Sequence, residues 1–220
     1  NLREDYVERN KVFSCFPKIG SDEVGKGDFF GPLIVCAVYV ENPEQMEDLN
    51  ARDSKSISDY RVKLMAPQLM RHFLYSLVKI SPEKYNELYT RFKNINVILG
   101  WAHAQAVKNL LEKKVKPKVI LVDKFGPEFR VLKHFDDKSI HEKTVFLTNA
   151  EMDLAVASAS IIARNVFLNE IHKLKEEAGL DIPLGASRMV DAAARKLSQK
   201  IGRANLSRFV KTHFKNYSRL

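Results

Sequence analysis

The most regular feature of the chain is a run of alternating side chains that are apolar on both faces. From Phe30 to Glu41, Leu33, Val35, Ala37 and Tyr39 interleave with Ile34, Cys36, Val38 and Val40. A strand without a polar face belongs inside a sheet with cover on both sides. A short strand, Lys18 to Asp22, precedes it. The intervening EVGKGDF carries two glycines that suit a tight turn. Phe73 to Ile80 predicts a third strand, Val119 to Val122 a fourth that ends at Asp123, and Thr144 to Leu147 a fifth.

Helical patterns fill the gaps. Asp59 to Met70 reads as a helix interrupted at Pro67. Ser81-Pro82 starts another, with Ser81 as N-cap and Pro82 in the first turn. Val97 to Lys113 is a longer one. Leu154 to Glu177 is longer still, opening on small residues and stopping at Gly179. Two more are predicted near Arg188 to Lys200 and Asn205 to His213. Three strands, then helices and two further strands, predict a mixed α/β domain with an antiparallel start and parallel additions. In such sheets the carboxyl ends of adjacent parallel strands are natural places for a site.

Composition narrows the class. At 220 residues with 45% hydrophobic and 29% charged positions, the chain can bury an ordinary globular core. No apolar run approaches the ~20 residues of a membrane span, so no membrane association is expected. The charged first residues do not read as a signal peptide. The two cysteines, Cys15 and Cys36, form no CxxC pair and no zinc spacing with histidine. Reduced cytoplasmic thiols are the expectation. The net charge of +9 favours polyanionic partners, nucleic acid above all.

Against that basic background, acidic residues recur at element ends. Asp22 and Glu23 close the first strand, Asp123 closes the fourth, and Glu151 and Asp153 lie between the fifth strand and the long helix. Carboxylates converging from separate strands can hold Mg²⁺, a hard ion that takes oxygen ligands. Two such ions can clamp a phosphodiester from both sides. By pattern alone each of these residues can equally face solvent, cap a helix or answer its macrodipole. His103, flanked by apolar residues on a helix, reads as structural, and Ser160 as a small packing residue.

The stretch IGSDEVGKGDFFGPLIV, residues 19–35, resembles the signature of the ribonuclease HIII family. Asp53-Ser54-Lys55 is similar to the family's DSK element, and Trp101 to Ala106 to part of its central helix. Ile120 to Asp123, Asn149-Ala150-Glu151 with Leu154 to Arg164, and the tail through Lys211-Thr212-His213-Phe214 follow in the family's order. The resemblance covers roughly residues 17–215.

It implies an RNase H-like fold: a mixed five-stranded sheet flanked by helices, with a helical C-terminal region. Residues 17–220 would form the catalytic domain, and residues 1–16 an extension or linker remnant. The implied activity is endonucleolytic hydrolysis of the RNA strand of RNA–DNA hybrids, leaving 5′-phosphate and 3′-hydroxyl ends. Asp22, Glu23, Asp123 and Glu151 would bind two Mg²⁺ or Mn²⁺ ions. Gly25, Lys26 and Gly27 would contact the hybrid, as the corresponding loop does in type 2 enzymes, and Ser54 and Lys55 its phosphates. A cytoplasmic monomer is expected.

Three departures stand out. The segment between Glu151 and Ser160 is one residue shorter than in the family, which makes Asp153 a competitor for the fourth carboxylate. Gly185 to Val190, GASRMV, departs from the usual run at that place. The family's N-terminal TATA-binding-protein-like domain has no counterpart in these residues. Two alternatives stay open: an enzyme of the ribonuclease HII type, which also cuts at single embedded ribonucleotides, and a non-catalytic hybrid-binding module.

Overall fold

The computed structural model describes residues 9–46 and 57–220. Its centre is a five-stranded sheet in the order β3-β2-β1-β4-β5. The strands are β1 (Lys18–Val24), β2 (Leu33–Val40), β3 (Leu74–Ile80), β4 (Val119–Asp123) and β5 (Thr144–Leu147). β1, β2 and β3 pair antiparallel, whereas β4 joins β1, and β5 joins β4, in parallel. The apolar double face of β2 is explained by its place between β1 and β3, with packed side chains above and below.

Seven helices are labelled in chain order: α1 (Asp59–His72), α2 (Pro82–Phe92), α3 (Ile95–Leu111), α4 (Glu128–Asp136), α5 (Leu154–Ala178), α6 (Arg188–Ile201) and α7 (Lys215–Ser218). One face of the sheet is covered by α5, α1 and α6 through residues such as Ile34, Cys36, Ala159, Ile162 and Val190. The other is covered by α3 and α4 through Ile19, Val35, Leu99, Val122 and Phe135. The apolar character of the 25-residue α5 reflects this packing, since much of it is buried.

Four expectations are corrected. Pro67 lies inside α1 without ending it. Its ring is on the exposed side, where water can hydrate the carbonyl that loses its partner. The strand expected from Phe30 begins only at Leu33, because Gly31 takes a positive φ of 83° and Pro32 follows it. The unforeseen α4 supplies the crossover that parallel β4 and β5 require. Finally, Asn205 to His213 is not an α-helix: a 3-10 segment, Arg203–Arg208, gives way to extended chain.

That extended tail serves the β1–β2 loop. Val210 bridges Phe30. Gly31 N–H donates to Phe209 O at 2.9 Å, and Lys211 N–H to Phe29 O at 2.8 Å. The buried Lys211 Nζ donates to the carbonyls of Asp28 (2.9 Å) and Gly31 (2.7 Å). Burial pushes its ammonium down to about 7, with Asp28 opposing. Asn86 on α2 holds the tail from the other side, donating to Val210 O at 2.8 Å and accepting from Thr212 N–H at 2.9 Å.

Gly20 sets how closely α5 approaches the sheet. A Cβ there would stand 2.3 Å from the Ala155 carbonyl carbon and 2.4 Å from Val156 N. Backbone cannot yield as a side chain does, so the start of α5 would have to move. Gly20→Ala is expected to lower stability by about 1–3 kcal/mol or more, read by urea denaturation. An unchanged midpoint would mean that the helix start adjusts freely.

Candidate active site

Parallel pairing of β1 and β4 ends with Ser21 opposite Val122, and the next residues on the two strands are Asp22 and Asp123. Residues alternate between faces along a strand. Gly20 and Leu121 face α5, so Asp22 and Asp123, two residues further along, project to that side as well. Glu23 projects toward α3, where it meets His103. Two carboxylates therefore reach the carboxyl edge of the sheet on one face and a third on the other.

Asp22 is only 7% exposed. Burial pushes its carboxyl up from 3.8 to about 8, the charges of Glu23 and Asp123 add to the rise, and hydrogen bonds from Ser160 and from Glu23 N–H oppose it. The Glu23 amide donates to Asp22 Oδ1 at 2.7 Å. Asp123 Oδ1 accepts the Ala150 amide at 2.8 Å, which pins the short 3-10 turn Ala150–Met152 beside the end of β4. Glu151, buried in that turn, is thereby carried to the same edge.

Asp153 is committed elsewhere. Its Oδ2 receives Lys18 Nζ at 2.6 Å, and its Oδ1 caps α5 by accepting from Ala155 N–H at 2.9 Å. Both side chains are buried, at 0% and 3% exposure. Asp153 is thus the N-cap of α5, and Glu151 lies buried in the 3-10 turn just before it.

Among the described residues, no three His, Cys, Asp or Glu side chains are already gathered closely enough to hold an ion. Glu23 and Asp123 are turned to His103 and to the Ala150 amide. The residues nevertheless fit Mg²⁺ or Mn²⁺. Their donors are carboxylate oxygens, and Asp22, whose proton affinity is raised by burial and further by the charges of Glu23 and Asp123, is a carboxylate that a cation would stabilise in its ionised form.

The glycine loop stands beside these groups. Gly25 needs its φ of 92°, and a Cβ there would lie 2.2 Å from Pro32 O, so this position holds the turn. Gly27 meets nothing within 4 Å and presents open backbone. Lys26 Nζ donates to Phe125 O at 3.3 Å and lies 3.9 Å from Glu23 Oε1. Ser54 and Lys55 lie outside the described residues. Sequence reasoning missed Ser160 as a partner of Asp22 and His103 as a partner of Glu23. Their partners lie far away in sequence, and no local pattern signals them.

The site is thus a mixed sheet with carboxylates at the ends of β1 and β4, covered by a long helix whose Ser160 meets the first of them. The sequence model of the family Ribonuclease HII matches residues 19–217. Ribonuclease HIII of Chlamydia pneumoniae is 38% identical over 208 residues, covering 93% of this chain and 70% of its own length. Ribonuclease HIII of Bacillus cereus (strain AH187) is 40% identical over 205 residues, covering 90% and 66%. The crystal structure of Bst-RNase HIII in complex with Mn²⁺ superposes with a TM-score of 0.90 at 31% identity, over 96% of this chain and 70% of that one. The chain belongs to the ribonuclease HII family, and within it to the ribonuclease HIII type. It spans about two thirds of the length of these relatives.

Proposed function

We propose that the chain is a metal-dependent endoribonuclease that hydrolyses the RNA strand of RNA–DNA hybrids. It acts as a cytoplasmic monomer and leaves 5′-phosphate and 3′-hydroxyl ends. The observation that carries this reading is the placing of Asp22 and Asp123 side by side at the ends of two parallel strands, with Asp22 buried and its proton affinity raised first by that burial and then by the charges of Glu23 and Asp123. Asp22, Glu23, Asp123 and Glu151 are the ligands. The engagement of both Asp153 oxygens favours Glu151 as the fourth. Mn²⁺ in the related Bst-RNase HIII supports the choice of ion.

When bound, a pair of such ions supplies activation of water for attack and stabilisation of the departing 3′ oxygen. Asp22 has to release its proton on binding, so metal affinity rises with pH toward 8. Ser160 donates to the Asp22 carboxylate and so favours the ionised form. Gly27 lets the hybrid approach the main chain, where amides can reach phosphate or 2′-hydroxyl groups. Lys26, held between Phe125 O and Glu23, puts positive charge on the same side.

A gel assay on a uniform hybrid with Mg²⁺, with Mn²⁺ and with chelator tests the reading. Metal-dependent internal cuts are expected, and tight hybrid binding without cleavage would make the chain a binding module instead. The match to the Ribonuclease HII model keeps cleavage at a single embedded ribonucleotide as a second reading, and a duplex with one ribonucleotide decides it. Hybrid affinity should fall with salt. Even two phosphate contacts imply roughly a tenfold loss between 50 and 200 mM salt by counterion release. Fluorescence anisotropy measures it, and a flat profile would remove the electrostatic account of binding.

A further inference from the structure

We infer that His103 is a positioning residue that fixes the Glu23 carboxylate for metal binding, an inference that rests on Glu23 being a ligand. His103 lies on α3 and is fully buried. Its Nε2 is 3.2 Å from Glu23 Oε2, and its Nδ1 is 2.7 Å from Ser21 Oγ. An ionised carboxylate only accepts hydrogen bonds, so Nε2 carries the hydrogen in this contact.

Ser21 makes that arrangement independent of the ring's charge. Its hydroxyl lies 2.9 Å from Cys36 O as well as 2.7 Å from His103 Nδ1. With a neutral ring, Ser21 donates to Nδ1; with a cationic ring, it accepts from Nδ1 and donates to Cys36 O. Either way the Nε2 hydrogen points at Glu23. Stacking on Phe125, with centroids 4.9 Å apart and planes 14° from parallel, keeps the ring in its plane, and the Ser21 contact fixes its rotation within that plane.

Phe125 closes the circuit. Its carbonyl accepts Lys26 Nζ at 3.3 Å, and Lys26 Nζ stands 3.9 Å from the second Glu23 oxygen. One oxygen of Glu23 is thus addressed by a rigid buried imidazole and the other by a lysine of the glycine loop. A carboxylate so held loses little freedom when a cation arrives. Partners that orient ligands in this way typically change metal affinity or activity 10–100-fold when removed.

The test is titration of Mn²⁺ into the metal-free protein by calorimetry, beside hybrid cleavage at varied Mn²⁺. His103→Leu fills the space without the donor, and His103→Gln returns an amide donor near the Nε2 position. Ser21→Ala releases the ring while keeping its bulk. His103→Leu is expected to weaken Mn²⁺ binding about 10–100-fold and to raise the Mn²⁺ needed for half-maximal cleavage, with KM for the hybrid unchanged. His103→Gln should recover most of the affinity, and Ser21→Ala should lose several-fold. A folded His103→Leu that binds Mn²⁺ like the parent overturns the inference. Should that variant not fold, parental Mn²⁺ affinity in Ser21→Ala does the same. A parent chain that neither binds Mn²⁺ nor cuts overturns the proposed function and this inference with it, whereas a parent that does both lets the variants bear on His103 alone.

Discussion

Asp22→Asn is expected to abolish hybrid cleavage while leaving hybrid affinity within about twofold and making the metal-free protein more stable at alkaline pH. The first effect follows from the proposed role of Asp22, since asparagine would remove a charged ligand. Stabilisation of transition-state charge by metal is worth several kcal/mol, which corresponds to a rate loss on the order of 10³-fold. Binding survives because no basic contact is removed. The stability effect follows from the carboxyl held near 8 instead of 3.8. The folded chain binds that proton more tightly than the unfolded chain. The associated stability is therefore complete below about pH 4 and is lost as the pH climbs through about 8. Asparagine removes this titration. Melting of chelator-treated protein from pH 5 to 9 should show the parent losing ground to the variant, by a few degrees at the top of the range, given about 2–4 °C per kcal/mol for a domain of this size. Parallel profiles, or undiminished cleavage, would refute the assignment of Asp22.

Lys18→Met is expected to cost about 3–5 kcal/mol, because it leaves the buried Asp153 carboxylate without its ammonium. The three contacts of Lys18 Nζ are specific: Val12 O at 3.1 Å, Phe13 O at 2.7 Å and Asp153 Oδ2 at 2.6 Å. The double variant Lys18→Met/Asp153→Asn should regain much of the loss, since asparagine is uncharged and still caps a helix. Denaturation of the two single variants and the double one forms a thermodynamic cycle. Strict additivity would show that the ion pair contributes nothing beyond its separate groups. Because Asp153 starts α5 next to the turn carrying Glu151, Lys18→Met should also lower cleavage by the molecules that remain folded.

The sheet is legible in the sequence because its signal is local. Alternation in LIVCAVYV and the short apolar run VILVD mark β2 and β4, and each limits itself to a few neighbours in sequence. The carboxylates at strand ends are legible for the same reason. α4 carries a weaker signal: Val131 and Phe135 are spaced for one helical face, and two parallel strands in succession demand a crossover. The tail cannot be read locally. Its charged and apolar residues suit a helix, but Phe209, Val210 and Lys211 satisfy their backbone against Phe29, Phe30 and Gly31, some 180 residues away. Asp153 and Glu151 compete in the sequence because Lys18, the residue that claims Asp153, is 135 positions distant. His103 reads as core for a sound reason, since it is wholly buried; only the fold reveals that the carboxylate of the partly buried Glu23 reaches it.

The brace between the tail and the β1–β2 loop has a consequence during synthesis. Gly25, Lys26 and Gly27 are made early, yet the carbonyls of Asp28 and Gly31 and the amide of Gly31 find partners in Phe209 and Lys211, near the far end of the chain. On the ribosome, then, the loop emerges long before the segment that steadies it. A nascent chain can assemble its sheet while this loop is still unsupported, and the loop gains its brace only after residues 206–213 leave the exit tunnel and fold back.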